Sequence, residues 1–597
     1  MSDDRWDEVR AALGDPEDID MDGVETPHPC GDDGPPNGEP PSADAEERLT
    51  PSERAAREPL NDLGNARRFR IYHGEDVLHV PRVGWHAWDG RRWAKDPDGL
   101  VVRRLAQGIS ARITEEIPHI ALERWEDEAI AAIPSAEQEI KRLRAEEESE
   151  DRAEALRKAE ATLETGIRAK TRLSKLKSEM RGFAKTTGNS DRITKLLKEA
   201  EVLLSCPLET MDADPLAVNC LNGTLRFTVE RGVEDEGMSP VASVTLTPHD
   251  KADRFTKLMQ VEYDPQASSS LFGRFLTRVQ PDSVIRRFLQ RTFGLAMTAL
   301  PMQRIWFFYG HGANGKSVLV DAMADLMGDY ASSAKIESLT GQSKRGGSDA
   351  TPDLIPLMGA RMVRASEPEQ GERLKEGTIK ELTGGEPILV RALHSDFVEV
   401  RPVFKLILSG NHKPEIRGTD DGIWRRVLLV PFDVQIPEAE RDQDLGRKLK
   451  AERSGMLNWL IDGLIDFLER GLQVPDTVSD ATQSYREESD PLGNFLADGC
   501  EVTGDVGHWT ATKDLVAAFN IWAEANGTTQ WKPRTIENGL KDRAGRWRPP
   551  GGGSSFEYSK VSVSGYRGIR LTTDMRDQLA RLRGGAASPP PDPDPDF

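Results

Sequence analysis

The sequence predicts a multidomain α/β protein organised around a parallel sheet that carries a phosphate-binding loop. Three observations predict it. Between about residues 270 and 475, short apolar runs alternate with amphipathic stretches, the pattern of strands joined by crossover helices. One run, Ile305–Tyr309, is continuously apolar, as a strand buried on both faces should be. It leads directly into Gly310-His311-Gly312-Ala313-Asn314-Gly315-Lys316-Ser317, which fits G-x-x-x-x-G-K-[ST] at every position.

At roughly 100–200 residues per domain, the 597 residues make about three to five folded units. Four cysteines, at 30, 206, 220 and 500, include no Cys-x-x-Cys pair, which argues against a disulfide framework and a structural zinc site. No apolar run is long enough to span a membrane and the N-terminus is acidic. A soluble, cytoplasmic protein without a membrane partner is therefore expected. The net charge of −21 is unevenly spread: residues 1–50 hold 16 acidic and 3 basic side chains, a net −13, and the last seven residues add −3. The mildly acidic remainder argues against a broad basic surface for duplex DNA. A narrow basic channel stays open, because salt screens charge beyond about 8 Å.

Residues 1–58 are rich in Asp, Glu, Pro and Gly and read as a disordered acidic tail, either solvating or docking. Order is expected from near Asn61. The stretch 69–83 alternates apolar and polar residues, which predicts strands in a small β-rich part over 59–134. Trp85, Trp88 and Trp93 gather around the turn Asp89-Gly90 and read as a local core rather than a base-stacking face. A helical part with short strands is assigned to 135–270. Within it, Ile140, Leu143, Leu156, Leu163, Ile167, Leu173, Leu176 and Met180 recur mostly at threes, fours and sevens. That spacing predicts a coiled-coil hairpin whose charges form its solvated face. Asn222-Gly223 marks a turn between strands.

The loop belongs to a unit over 271–480, and each part of it has a physical role. Gly310, Gly312 and Gly315 let the backbone curl so that N–H groups, Ala313 and Asn314 included, point at phosphate oxygens. The helix N-terminus adds partial positive charge. Lys316 reaches for the β- and γ-phosphates and the Ser317 hydroxyl for Mg²⁺, so ATP and Mg²⁺ are the expected cofactors. The glycines also satisfy G-x-G-x-x-G, with Glu337 placed as a ribose-binding acid, but that dinucleotide reading leaves Lys316-Ser317 unexplained.

An ATPase of this kind needs a carboxylate at the end of a neighbouring strand. Arg361-Met362-Val363-Arg364-Ala365-Ser366 reads as that strand. It ends at Glu367, the first choice for catalysis and for the Mg²⁺ shell, with Glu369 the second. A third strand, 403–409, ends at Gly410-Asn411. There Asn411 could contact the γ-phosphate or orient water, or be a turn residue. A fourth strand follows Trp424-Arg425-Arg426, and an arginine there could serve a neighbouring subunit's site or be ordinary surface. Between the second and third strands, Lys380-Glu381-Leu382-Thr383-Gly384-Gly385 precedes two strand-like runs around His394-Ser395-Asp396. They read as a β-hairpin with Arg391 and His394 near its tip, either gripping a DNA backbone in a pore or lying on the outer surface.

The unit over 481–578 reads as helices at 513–523 and 533–542, followed by basic strands carrying Lys560, Arg567 and Arg570. That order predicts a winged helix, with duplex binding or protein docking as its role. Residues 579–597 form a Pro/Asp tail.

The ordered motifs Gly310–Ser317, Ala365-Ser366-Glu367-Pro368-Glu369, Lys380 to Gly385, Leu408-Ser409-Gly410-Asn411-His412-Lys413-Pro414 and Trp424-Arg425-Arg426 resemble the phage and plasmid primase–helicases, whose ATPase belongs to helicase superfamily 3. Upstream, Asp62-Leu63-Gly64-Asn65-Ala66-Arg67-Arg68-Phe69, Trp88-Asp89-Gly90 and Asn222-Gly223-Thr224-Leu225 resemble the domain that precedes this ATPase in poxvirus primase–helicases. The resemblance implies an AAA+-like hexameric ring that hydrolyses ATP at subunit interfaces and translocates on DNA, single-stranded in the ring and duplex at the winged helix. It implies Lys316 and Ser317 on nucleotide and Mg²⁺, Glu367 as the second-motif acid and Asn411 as the sensor. It also implies an arginine finger at Arg426, with Arg425 as the second choice, and DNA contacts at Lys380, Arg391 and His394. The first 60 residues are too short and polar to fold a primase domain, and 60–270 offer no acidic two-metal cluster. A helicase without its own primer synthesis, working with a separate primase or polymerase, is expected. The other reading is an ATP-dependent DNA-bound assembly platform that recruits those partners without processive unwinding.

Overall fold

A computed structural model of the chain describes residues 49–230, 240–341, 350–368, 371–391, 396–416, 421–550, 552–560 and 563–584. Structure begins before Asn61. Thr50 and Glu53 form a capping box that starts helix α1 (Pro51–Ala55), inside the stretch expected to be structureless. Helix α2 (Asp62–His73) follows, capped by the Asn61 side chain. It takes in Phe69, so the strands expected over 69–83 shrink to β1 (Val77–Val80), which pairs antiparallel with β2 (Gly84–Trp88), itself paired with β3 (Trp93–Lys95). The reason is a buried arginine. Arg68 donates to Glu116 Oε2 at 2.8 Å and to the carbonyls of Pro59 and Glu58 at 2.8 and 2.7 Å. Both side chains of the pair are fully buried, and such a charge is tolerated only when fully hydrogen-bonded. A short alternation of residue types says nothing about that distant partner. Trp88 and Trp93 meet edge to face at 5.8 Å in one small core, while Trp85 packs into the neighbouring one, its ring 6.4 Å from Phe69.

Glu116 closes helix α3 (Leu100–Glu116). Helices α4 (Arg124–Arg144) and α5 (Glu150–Thr187) form the long antiparallel hairpin, with Arg172 meeting Glu126 near its base and Arg144 meeting Glu160 further out. It starts ahead of the expected residue 135 and runs through Pro134. Its base packs on α3 and on α6 (Ser190–Leu203). Strands β4 (Ala217–Cys220), β5 (Gly223–Glu230) and β6 (Val241–Thr247) make an antiparallel sheet. Helices α7 (Ser270–Val279) and α8 (Ser283–Ala296) then lead into the central sheet.

That sheet holds β7 (Ile305–Tyr309), β8 (Ala331–Ala334), β9 (Met362–Ala365), β12 (Lys405–Gly410) and β13 (Val427–Pro431), in the order β13-β7-β12-β9-β8. Every neighbouring pair is parallel. Both faces are covered, which is why β7 and β13 read as unbroken apolar runs. Trp306, Phe308, Ile407 and Val430 face one core, with α7, α8 and α11 (Arg453–Arg470) against it. Phe307, Leu406, Leu408 and Leu429 face the other, with Tyr485 of α12 (Asp476–Glu488). Helix α9 (Lys316–Met327) follows β7, α10 (Glu376–Thr383) follows β9, and β10 (Ile388–Val390) pairs antiparallel with β11 (Val398–Val400) as the expected hairpin.

The C-terminal unit runs α13 (Pro491–Asp498), β14 (Cys500–Val502), β15 (Trp509–Ala511), α14 (Thr512–Ala525), α15 (Pro533–Arg543), β16 (Glu557–Lys560), β17 (Ser564–Arg567), β18 (Ile569–Leu571) and α16 (Thr573–Leu582). Its antiparallel sheet has the order β15-β17-β16. Helix α16 reaches past residue 579, where the tail was expected to begin. No described helix is long and apolar enough to cross a membrane.

Two buried cations sit at the base of the central sheet. Arg361 donates to the carbonyls of Ala217 and Met297 at 2.6 and 2.8 Å and lies 4.4 Å over the Tyr330 ring, tying the β4 region to the sheet. Lys405 donates to the carbonyls of Thr298 and Val403 at 2.6 and 3.2 Å. Burial, assisted by the Arg361 charge, pushes the Lys405 ammonium well below the ordinary lysine range. A lysine depressed in the fold binds its proton more tightly when unfolded, so it costs stability below the unfolded pKa. That cost fades as pH rises toward about 10.4. Lys405→Met is expected to flatten the rise in stability between neutral and alkaline pH, read as denaturant midpoints at two pH values; an unchanged rise contradicts this account.

Candidate nucleotide-binding site

The parallel register brings three strand ends to one edge. Gly410 lies level with Tyr309, and Leu408 with Ala365, so the loops after β7, β12 and β9 leave the sheet side by side. In an open α/β sheet this carboxyl edge is where ligands bind. A cleft of about 680 Å³ opens there, lined by Gly312, Ala313, Asn314, Gly315, Lys316 and Ser317 together with Glu367 and Asn411.

Close approach shapes the loop. A Cβ on Gly310 would lie 2.2 Å from the Phe432 carbonyl, and one on Gly315 would lie 2.4 Å from Val279 Cγ1. Gly315 also has φ +80 and caps α9, a conformation that favours glycine. The Asn314 side chain donates to the Phe432 carbonyl at 3.1 Å and its Oδ1 accepts from the Lys316 amide at 3.4 Å. Asn314 thus pins the loop to the strand β13 side of the sheet.

The functional groups form one network. Lys316 Nζ donates to the Gly310 carbonyl at 2.6 Å and to Asn411 Oδ1 at 3.0 Å. The Asn411 amide donates to Glu367 Oε1 at 2.6 Å, and Asn411 Nδ2 to Glu367 Oε2 at 3.2 Å. Only this orientation of the amide satisfies both the ammonium and the carboxylate. Burial holds the Lys316 ammonium below the ordinary lysine range, and the Glu367 charge opposes that shift. Ser317 is exposed on the same cleft. A hydroxyl and a carboxylate are hard oxygen donors of the kind Mg²⁺ takes alongside water and phosphate, so this donor set fits a nucleotide-bound Mg²⁺.

The other sequence candidates lie away from the cleft. Arg426 is buried, its guanidinium donating to the Gly422 carbonyl and to Gln303 Oε1. Arg425 is exposed, and among the described residues its guanidinium has no partner. The adjacent Arg425 is the one of the two whose side chain reaches solvent. The alternation of a strand about to begin could not tell which arginine turns inward. Lys380 lies on α10, and Arg391 follows β10 with its guanidinium 4.9 Å over the Phe397 ring. Glu369 and His394 fall outside the described residues. Sequence reading missed Arg364 of β9 and Asp321 of α9, which pair with each other at the rim of the cleft. The available signal was a lone arginine alternating out of an apolar strand.

Comparison with known proteins agrees with the resemblance read from the motifs. Residues 66–281 match the family described as D5 N terminal like, and residues 308–426, which include the loop, Glu367, Asn411 and Arg425, match a family of unknown function, DUF5906. The chain is 26% identical over 339 residues to "Putative helicase L207/L206" of Acanthamoeba polyphaga mimivirus, covering 54% of this chain and 34% of that protein. It is 27% identical over 309 residues to "Putative helicase 022R" of Frog virus 3 (isolate Goorha), covering 49% of this chain and 30% of that protein. The chain thus spans about a third of the length of these relatives. Among solved structures, the apo C-terminal region of NrS-1 aligns with a TM-score of 0.34 at 14% identity, covering 53% of this chain and 78% of that one.

Proposed function

We propose, for a chain whose residues 66–281 match the D5 N terminal like family and whose residues 308–426 match DUF5906, that it is an ATP-driven DNA helicase of superfamily 3. It acts as an AAA+-like homo-hexameric ring that translocates on single-stranded DNA in phage or plasmid replication. The observation that carries this reading is the Lys316–Asn411–Glu367 network at the carboxyl edge of the parallel sheet.

The chemistry follows from those contacts. On nucleotide binding, Lys316 exchanges the Gly310 carbonyl and Asn411 for the β- and γ-phosphates. Ser317, and Glu367 through the ion's water shell, would hold Mg²⁺, which would supply charge neutralisation of the phosphates. Glu367, steadied by the Asn411 amide, orients and polarises the attacking water. Water adds to the γ-phosphorus, the bond to the bridging oxygen breaks, and ADP and phosphate leave. Asn411 touches both the ammonium and the carboxylate, so it can report the state of one to the other.

Arg425 completes the site of the next subunit as an arginine finger. Arg425→Ala is expected to lower turnover by at least about 100-fold while nucleotide affinity stays within a few-fold, measured by phosphate release and equilibrium binding. Wild-type turnover in that variant removes Arg425 from the role. Hairpin β10–β11, with Arg391, and the neighbouring Lys380 face DNA in the ring. The C-terminal order of helix, strand, two helices and two-stranded wing is that of a winged helix and takes duplex DNA.

The direct test is ATP-dependent strand displacement on a forked duplex. The second reading, an assembly platform, keeps the nucleotide site but predicts a ring that forms with ATP and releases no phosphate. Sizing with ATP alongside phosphate release separates the two.

A further inference from the structure

The hairpin helix α5 carries charge that its own ion pairs do not consume. Over residues 137–160 the hairpin holds nine acidic and six basic side chains, while over 165–187 it holds seven basic and one acidic. Around the far end, Arg142 pairs with Glu139 and Glu146, Arg144 with Glu160 and Lys158 with Glu154. Near the body, Arg168, Arg172 and Lys175 meet Glu164, Glu126 and Glu179.

Of the seven cations over 165–187, four are left. Lys170, Lys177, Arg181 and Lys185 have no carboxylate partner among the described residues, and all four side chains reach solvent. Their spacing of seven, four and four places them on one stripe of the helix, with the small Ser174 between them. At 1.5 Å per residue the stripe is about 22 Å long. It is rigidly mounted, because Met180, Phe183 and Ala184 beside it are buried in the core shared with α3 and α6. A row of unneutralised cations on a fixed rod, in a chain of net charge −21, opposes the overall balance and matches a polyanion of regular charge spacing.

We infer that this stripe of α5 is a second DNA surface, outside the ATP cleft and the β10–β11 hairpin, which holds the backbone by its phosphates without reading sequence. The inference rests on the reading that the chain works on DNA. Its role is to guide a strand along the N-terminal part as the ATPase unit engages it.

The test uses the full chain carrying Lys170→Glu, Lys177→Glu, Arg181→Glu and Lys185→Glu together, with the four corresponding Gln changes as a milder variant. Anisotropy of a fluorescein-labelled single strand is followed between about 50 and 200 mM salt. The Glu variant is expected to bind at least about tenfold more weakly. Its salt slope should be shallower by about 3, from about 0.7 per lost phosphate contact on a single strand. The Gln variant should fall between it and wild type, and ATP hydrolysis without DNA should be unchanged in both. Unchanged affinity and slope overturn the inference, and the acidic segment 1–48 of the same chain becomes the better complement of the stripe. A wild-type chain that hydrolyses ATP yet binds no DNA overturns both this inference and the helicase reading; wild-type DNA binding with wild-type affinity in the variants overturns this inference alone.

Discussion

Lys316→Ala is expected to lose ATP hydrolysis almost entirely, by about 100- to 1000-fold or more, together with most of its nucleotide affinity. The ammonium is the cation that lines the loop side of the cleft, held 2.6 Å from the Gly310 carbonyl and 3.0 Å from Asn411 Oδ1. Both are neutral oxygens that a phosphate outcompetes, since charge-assisted hydrogen bonds are roughly twice as strong as neutral ones. Removing one preorganised donor to a developing charge costs on the order of 3–4 kcal/mol in a water-poor site. The fold should survive, because alanine is a good helix former at the first position of α9 and the Gly310 carbonyl keeps the Gly312 amide, which donates to it at 2.9 Å. Phosphate release and nucleotide binding measure the loss, with circular dichroism as the check on folding. The depressed Lys316 pKa adds a sign. The empty site loses its proton at lower pH than an ordinary lysine, and only the charged form attracts phosphate. Nucleotide affinity should therefore decline on the alkaline side before about pH 10.4. Undiminished turnover in Lys316→Ala would remove the cleft from the chemistry.

Glu367→Gln is expected to bind ATP nearly as well as wild type and turn it over at least about 100-fold more slowly. Glutamine has almost the same shape and its carbonyl oxygen can still accept from the Asn411 amide, so the loop geometry is kept. What disappears is the negative charge that, in the proposed mechanism, polarises water and balances a Mg²⁺ shell. Single-turnover hydrolysis alongside nucleotide binding distinguishes this outcome from Lys316→Ala, in which binding fails as well. Normal turnover in Glu367→Gln with a slow Glu369→Gln would transfer the role two residues along the chain.

What could be read from the sequence follows the range of the interactions concerned. The β7 strand, the phosphate loop and α9 are contiguous, and the loop glycines are demanded by local close approach, so the motif predicts them together. The apolar runs at 362–365, 405–410 and 427–431 were legible because a sheet covered on both faces needs no alternation. The β10–β11 pairing was legible from two short runs around a polar turn. Choices decided by distant partners were not legible. The alternating stretch 69–83 begins one residue after Arg68, whose burial in α2 is set by Glu116, far along the chain. Arg425 and Arg426 are equivalent in sequence until Gln303 captures one of them. Arg364 becomes part of the cleft rim only through Asp321 on the neighbouring helix. The stripe on α5 was visible as charge, but which of its cations lack partners depends on where α4 places Glu126.

The central claim is that one motor couples the cleft at the sheet's carboxyl edge to DNA. ATP hydrolysis by the wild-type chain, with and without single-stranded DNA and with Lys316→Ala as the blank, tests it most directly. The account predicts turnover that depends on Lys316 and rises severalfold or more when single-stranded DNA is added. Turnover that ignores DNA, or no turnover from a chain that still binds ATP, would contradict it and favour the assembly platform.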